Sequence, residues 1–231
     1  MAIDQLSPQY QNTAVGTETR NRVLRNTYGL LALSMIPTVI GAWIGVATRF
    51  TFFAGSPAIS FIAFLAIAWA FMAGITRFRN SSTGILLLLG FTFFMGLMLS
   101  RLLGYVLGMA NGTSIVMMAF GSTAAIFGVM ATIATVSKRD FSGMGSWLFI
   151  GMIVILLAAF ANIFLQLPGM MLAISALATV VFSLYILFDL NRIVTGGETN
   201  YVMATLSVYI SLYNVFSNLL ALFGVAGGSN D

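Results

Sequence analysis

Apolar runs long enough to cross a bilayer, about 20 residues each, follow one another along most of the chain with little between them. The pattern predicts seven spanning helices. The first runs from about Thr27 to Thr48, the second from Ala58 to Thr76, the third from Thr83 to Val106 and the fourth from Ile115 to Val136. The fifth covers Trp147 to Leu165, the sixth Met170 to Phe188, and the seventh, the least apolar, Tyr201 to Phe223. The connections carry turn formers: Gly55-Ser56-Pro57, Asn80-Ser81-Ser82, Asn111-Gly112-Thr113, Pro168-Gly169 and Gly196-Gly197. Such short links make consecutive helices antiparallel neighbours, so residues 27–224 are expected to form one domain.

The polar residues at either end complete this picture. Residues 1–26 are polar and lack the apolar stretch of a cleavable signal peptide. They are expected to form a flexible cytoplasmic tail, with residues 225–231 as a short tail at the other terminus. With the N-terminus inside, Arg20, Arg22, Arg25, Arg77, Arg79, Lys138, Arg139 and Arg192 fall on the cytoplasmic side, against Arg49 and Arg101 outside. That bias follows the positive-inside rule and sends the C-terminus of a seven-span chain outward. Arg101 lies about 18 residues into its helix, roughly 27 Å along the axis, so its long side chain is expected to reach the outer interface.

Composition narrows the class. Of the 231 residues, 59% are hydrophobic and 7% charged, where soluble domains carry roughly 25% charged residues. The net charge of +4 is confined to the connections and forms no basic face, which argues against nucleic-acid binding. The chain has no cysteine and no histidine. Disulfides, thiol nucleophiles, imidazole bases and the usual zinc sites are therefore excluded. Six acidic residues in all make a carboxylate cage for a hard metal difficult to assemble. No cofactor is expected. An intramembrane aspartate protease needs two acids at membrane depth, and Asp189 has no such partner, since Asp140 and Glu198 fall in loops. The chain is expected not to be an enzyme. No repeat of whole halves and no broken-helix pair suggests a secondary transporter.

Two features remain as candidate chemistry. Asp189 follows the apolar run 180–188 at the inner end of the sixth helix. It is either solvated there and paired with Arg192 at i+3, or tucked into the bundle, where it could take up a proton or make a weak calcium contact. Ser207, Ser211, Asn214 and Asn218 have offsets of 0, 4, 7 and 11, which put them on one face of the seventh helix. Such a stripe avoids lipid. It serves as polar glue between helices or as the wall of a wet path. Pairs such as Gly41 with Gly45 and Gly104 with Gly108 indicate close helix approach and no particular function.

Three ordered segments carry a family resemblance. Ala119-Phe120-Gly121-Ser122-Thr123, then Ser137-Lys138-Arg139-Asp140-Phe141-Ser142-Gly143, then Phe182 through Asn191 are similar to motifs of the Bax-inhibitor (transmembrane Bax-inhibitor-motif) family. The stretch Gly196 to Tyr201 with Ser211-Leu212-Tyr213-Asn214 resembles its bacterial YccA-like branch. The resemblance spans about Val23 to Gly224. It implies an all-α, polytopic seven-transmembrane-helix bundle with the last helix central. It also implies a protein of the bacterial inner membrane that binds the membrane AAA protease FtsH and moderates its proteolysis. The N-terminal tail, with Arg20, Arg22 and Arg25, is the candidate grip for that partner. Other family members are described as pH-sensitive calcium leaks, in which the acid matching Asp189 pairs with a second acid on the last helix. That second position is Ser211 here, which cannot ionise. Asp189, Ser211, Asn214 and Arg192 are thus the candidates for sensing ions or protons, with a Ser211–Asp189 hydrogen bond in place of a carboxyl pair.

Overall fold

The structure, a computed structural model, describes residues 8–51, 56–137 and 139–228. Residues 1–7 of the expected tail, Gly55 of the first turn, Lys138 and the last three residues lie outside this set. Among the described residues there are seven α-helices: α1 (Pro8–Ala47), α2 (Pro57–Arg77), α3 (Ser82–Leu107), α4 (Gly112–Val136), α5 (Gly145–Leu165), α6 (Pro168–Val194) and α7 (Tyr201–Gly228). All seven are long and apolar enough to cross a membrane. A helix satisfies its own backbone hydrogen bonds, which lipid cannot do, so each apolar run takes this form.

Three boundaries depart from the sequence reading. α1 begins at Pro8, so the stretch 8–26, expected as flexible tail, is continuous with the first spanning helix. Val23 of that stretch is buried, and Arg20 donates a 3.4 Å hydrogen bond to the carbonyl of Val194. Contacts to neighbouring helices thus hold the later part of this polar stretch, around Arg20 and Val23, in helical form. α6 runs six residues past the predicted Phe188 because Leu190 and Ile193 continue its buried face. At the far terminus, residues 225–228 belong to α7.

α1 and α3 run side by side along their length. Gly41 faces the carbonyl of Phe93, Gly96 faces that of Thr38, and Gly45 faces the side chain of Ser100. With no Cβ between them, the two backbones meet directly, and van der Waals contact replaces the hydrophobic drive that lipid removes. Gly41 and Gly45 therefore act as expected. Gly104 and Gly108 do not: a Cβ at Gly104 would meet only Val46, at 3.9 Å, and one at Gly108 only its own helix.

α7 is the axis of the bundle, packed against α1, α2, α3, α4 and α6. Val202, Val208, Tyr209, Val215 and Leu220 are all but sealed from solvent. At one end Asn200 bonds the turn before α3, through the Arg79 carbonyl (3.2 Å) and Asn80 Oδ1 (2.7 Å). Its own Oδ1 accepts from the backbone N–H groups of Val202 and Met203, capping α7. At the other end Gly224 lies beside Val106 and Gly227 beside Ile115. α7 therefore passes from the start of α3 to its finish, a full crossing. α2 and α5 sit outside, and Trp69 and Trp147 are exposed on surfaces suited to lipid.

Candidate functional site

Asp189 is not at the end of α6 but inside it, more than a turn before Val194. It is 8% exposed, against the solvated alternative the sequence left open. Ser211 of α7 donates to its Oδ2 at 3.3 Å, joining the two helices. The pairing with Arg192 that went with the solvated alternative is absent as well. That guanidinium reaches instead to Glu198 at 3.8 Å, the sole ion pair among the described residues, and lies 5.6 Å from the ring centroid of Phe188. The reason is geometric: Asp189 turns inward toward α7 while Arg192, three residues on and partly exposed, follows the edge of the helix toward the α6–α7 turn.

The loop motif is fastened to the same end of α6. Asn191, 1% exposed, accepts from the Phe141 N–H at 3.0 Å and donates to the Arg139 carbonyl at 3.2 Å. Asp140 caps the turn by accepting from the Ser142 N–H at 2.8 Å. Two of the resembling segments, the loop after α4 and the end of α6, are therefore one structural unit. With Asn200 on the Arg79–Asn80 turn and Arg20 on Val194, that end of the bundle also collects Arg20, Arg79, Arg139 and Arg192.

The polar stripe on α7 does not act as a unit. Ser211 is buried against Asp189, whereas Asn214 and Asn218 donate to the carbonyls of Ile210 and Asn214, both at 2.8 Å, on their own helix. Ser207 is half-buried. The stronger polar ties of α7 lie elsewhere. The Tyr209 hydroxyl shares a 2.8 Å hydrogen bond with Thr38 of α1 and lies 3.4 Å from the Thr92 carbonyl of α3. The Tyr213 hydroxyl donates to the Met95 carbonyl at 3.1 Å. Neither tyrosine stands out in the sequence as part of a Ser/Asn stripe, because their rings read as apolar. Their spacing of four residues was the available signal.

Chemically, the site is a buried carboxylate with one hydroxyl donor and no second acid. Such a group can hold two helices together. No group of three or more His, Cys, Asp or Glu that could hold a metal occurs among the described residues.

Comparison with known proteins agrees with this architecture. The family described as "Inhibitor of apoptosis-promoting Bax1" matches residues 20–228. An uncharacterized protein of Neisseria meningitidis serogroup A is 38% identical over 206 residues, covering 88% of this chain and 91% of that one. A protein of Escherichia coli K12 named "Modulator of FtsH protease YccA" is 37% identical over 206 residues, 89% of this chain and 91% of the relative. Its counterpart in strain O6:H1, equally similar and with the same coverage, is named "Inner membrane protein YccA". With seven spanning helices of matching extent and relatives covering nearly the whole chain, this protein belongs to the Bax-inhibitor family of polytopic membrane proteins.

Proposed function

We propose that this protein is a regulatory binding protein of the bacterial inner membrane that associates with the protease FtsH and moderates its action on other membrane proteins. The observation that carries the reading is the likeness, 37% identity over 89% of the chain, to a protein named for that role. The positive-inside rule puts the end bearing Arg20, Arg79, Arg139 and Arg192 in the cytoplasm and the end of α7 outside. The start of α1, with Arg20, Arg22 and Arg25, is then the part placed to meet a cytoplasmic protease ring. A tightly packed bundle resists the extraction that such a protease performs. A cation leak centred on Asp189 has less support, because Ser211 supplies a hydroxyl where a proton-sharing pair needs a second carboxyl.

Affinity purification of the full-length chain from its native membrane tests this. FtsH is expected in the eluate, and its recovery is expected to fall when residues 2–17 are removed and the exposed Arg22 and Arg25 are replaced by glutamine. In cells lacking the protein, membrane substrates of FtsH are expected to turn over faster. An unchanged turnover profile, with no FtsH in the eluate, would refute the proposal.

A further inference from the structure

Two arginines stand apart from the rest. Arg49 follows the end of α1 and Arg101 lies in the last two turns of α3, at the opposite end of the bundle from the arginines gathered around Asn191 and Asn200. They are the two cations that run against the charge bias of the chain, and both line one cavity of about 320 Å³. Neither is in an ion pair among the described residues. The acids that could have paired with them are elsewhere: Glu18 is near the start of α1, Asp140 caps the loop after α4, Asp189 faces Ser211, and Glu198 holds Arg192. Among the described residues, no carboxylate is left for this end.

The cavity is shaped for an anion. α1 ends with the Phe50 N–H bonded to the Gly45 carbonyl at 2.8 Å and the Arg49 N–H to that of Val46 at 3.2 Å. This closing turn places residue 49 in the left-handed region, with φ 51°. Glycine is the usual occupant of that position, yet an arginine stands there, at the cavity wall. Across from it, Gly104 has no packing need to be glycine, and the missing side chain leaves the space open. The remaining walls are mixed, with Val46 and Phe50 apolar and the hydroxyl residues Thr51 and Ser100 beside them. Trp43 and Tyr105, strongly exposed on the same two helices, are residues that settle at the membrane–water interface. This puts the cavity at headgroup depth with lipid-facing surface beside it. Guanidinium groups bind phosphate through paired, charge-assisted hydrogen bonds.

We propose that Arg49 and Arg101 form a binding site for a phosphate group, either a membrane phospholipid headgroup or a free phosphate. The placement beside exposed apolar helix surface favours the lipid, with the phosphate in the cavity and the acyl chains along α1 and α3.

The test uses the full chain purified in a non-ionic detergent and titrated with dioctanoyl-phosphatidylglycerol, inorganic phosphate and dioctanoylglycerol, which lacks phosphate. Phosphatidylglycerol is expected to bind, and dioctanoylglycerol is not. Arg49→Asn and Arg101→Gln are each expected to weaken binding about tenfold, the loss of a hydrogen bond to a charged group. Asparagine tolerates the left-handed turn, so the first variant keeps the helix end. Arg101→Lys should restore part of the affinity, and Gly104→Leu should block binding while leaving both charges in place. Phosphatidylglycerol binding far more tightly than phosphate identifies the lipid as the source. Equal or exclusive phosphate binding identifies a free anion; either result upholds the site. Binding that survives both arginine substitutions, or no binding of either probe, overturns it.

Discussion

Gly96→Val is expected to prevent stable assembly of the bundle, lowering stability by about 3 kcal/mol or more. A Cβ at this position would run into the carbonyl of Thr38 and within 3.0 Å of the Ala42 nitrogen, both backbone atoms of α1. A side-chain neighbour can rotate away, but helical backbone yields only if the whole helix moves. α1 also carries the Thr38 bond to Tyr209, so displacing it loosens α7 as well. The check is thermal unfolding of the detergent-solubilised variant beside Gly121→Ala. Residue 121 of α4 has nothing within 4 Å of the added atom, so that change should be neutral or slightly stabilising. A Gly96→Val protein melting with the wild type would refute the direct backbone contact between α1 and α3.

Tyr209→Ala is expected to cost about 3–5 kcal/mol, the range for emptying a large aromatic site in a packed interior. Tyr209 is 1% exposed, contacts the ring of Phe91 at a centroid distance of 6.2 Å, and joins α1, α3 and α7 through its hydroxyl. Tyr209→Phe separates the contributions. It keeps the ring and removes the polar tie, for a loss of about 1 kcal/mol, in line with hydrogen bonds between membrane helices. Graded unfolding in a denaturing detergent should rank the proteins wild type, Tyr209→Phe, Tyr209→Ala. Equal stability of the two variants would mean that ring packing contributes nothing at this position.

The helices were legible because crossing a membrane demands a run of apolar residues, and no other element answers to that pattern. Helix ends were less so. Hydropathy falls at Phe188, yet α6 goes on through Asp189, Asn191 and Arg192 because contacts with α7 and the α4–α5 loop hold those residues. The same holds for the polar start of α1. Asp189 and Ser211 could be brought together from the resemblance, and their hydrogen bond is present. Of the two alternatives for Asp189, pairing with Arg192 rested on a helical offset, which says nothing about Glu198 in the α6–α7 turn, where Arg192 finds its partner. The cavity between Arg49 and Arg101 was not legible at all. These residues lie more than fifty positions apart, and only the packing of α1 on α3 makes them neighbours.

The account rests on α7 passing through the middle of the bundle from end to end. The absence of native cysteine allows a direct measurement, an oxidative cross-link between Val106→Cys on α3 and Gly224→Cys on α7, made in intact membranes. A Cβ at residue 224 would lie 3.1 Å from the Val106 side chain, so the pair is expected to close rapidly within one chain. Leu86→Cys, near the other end of α3, should not link to Gly224→Cys. Failure of the first pair, or cross-linking of the second, would show that the final helix does not traverse the bundle and would contradict the account.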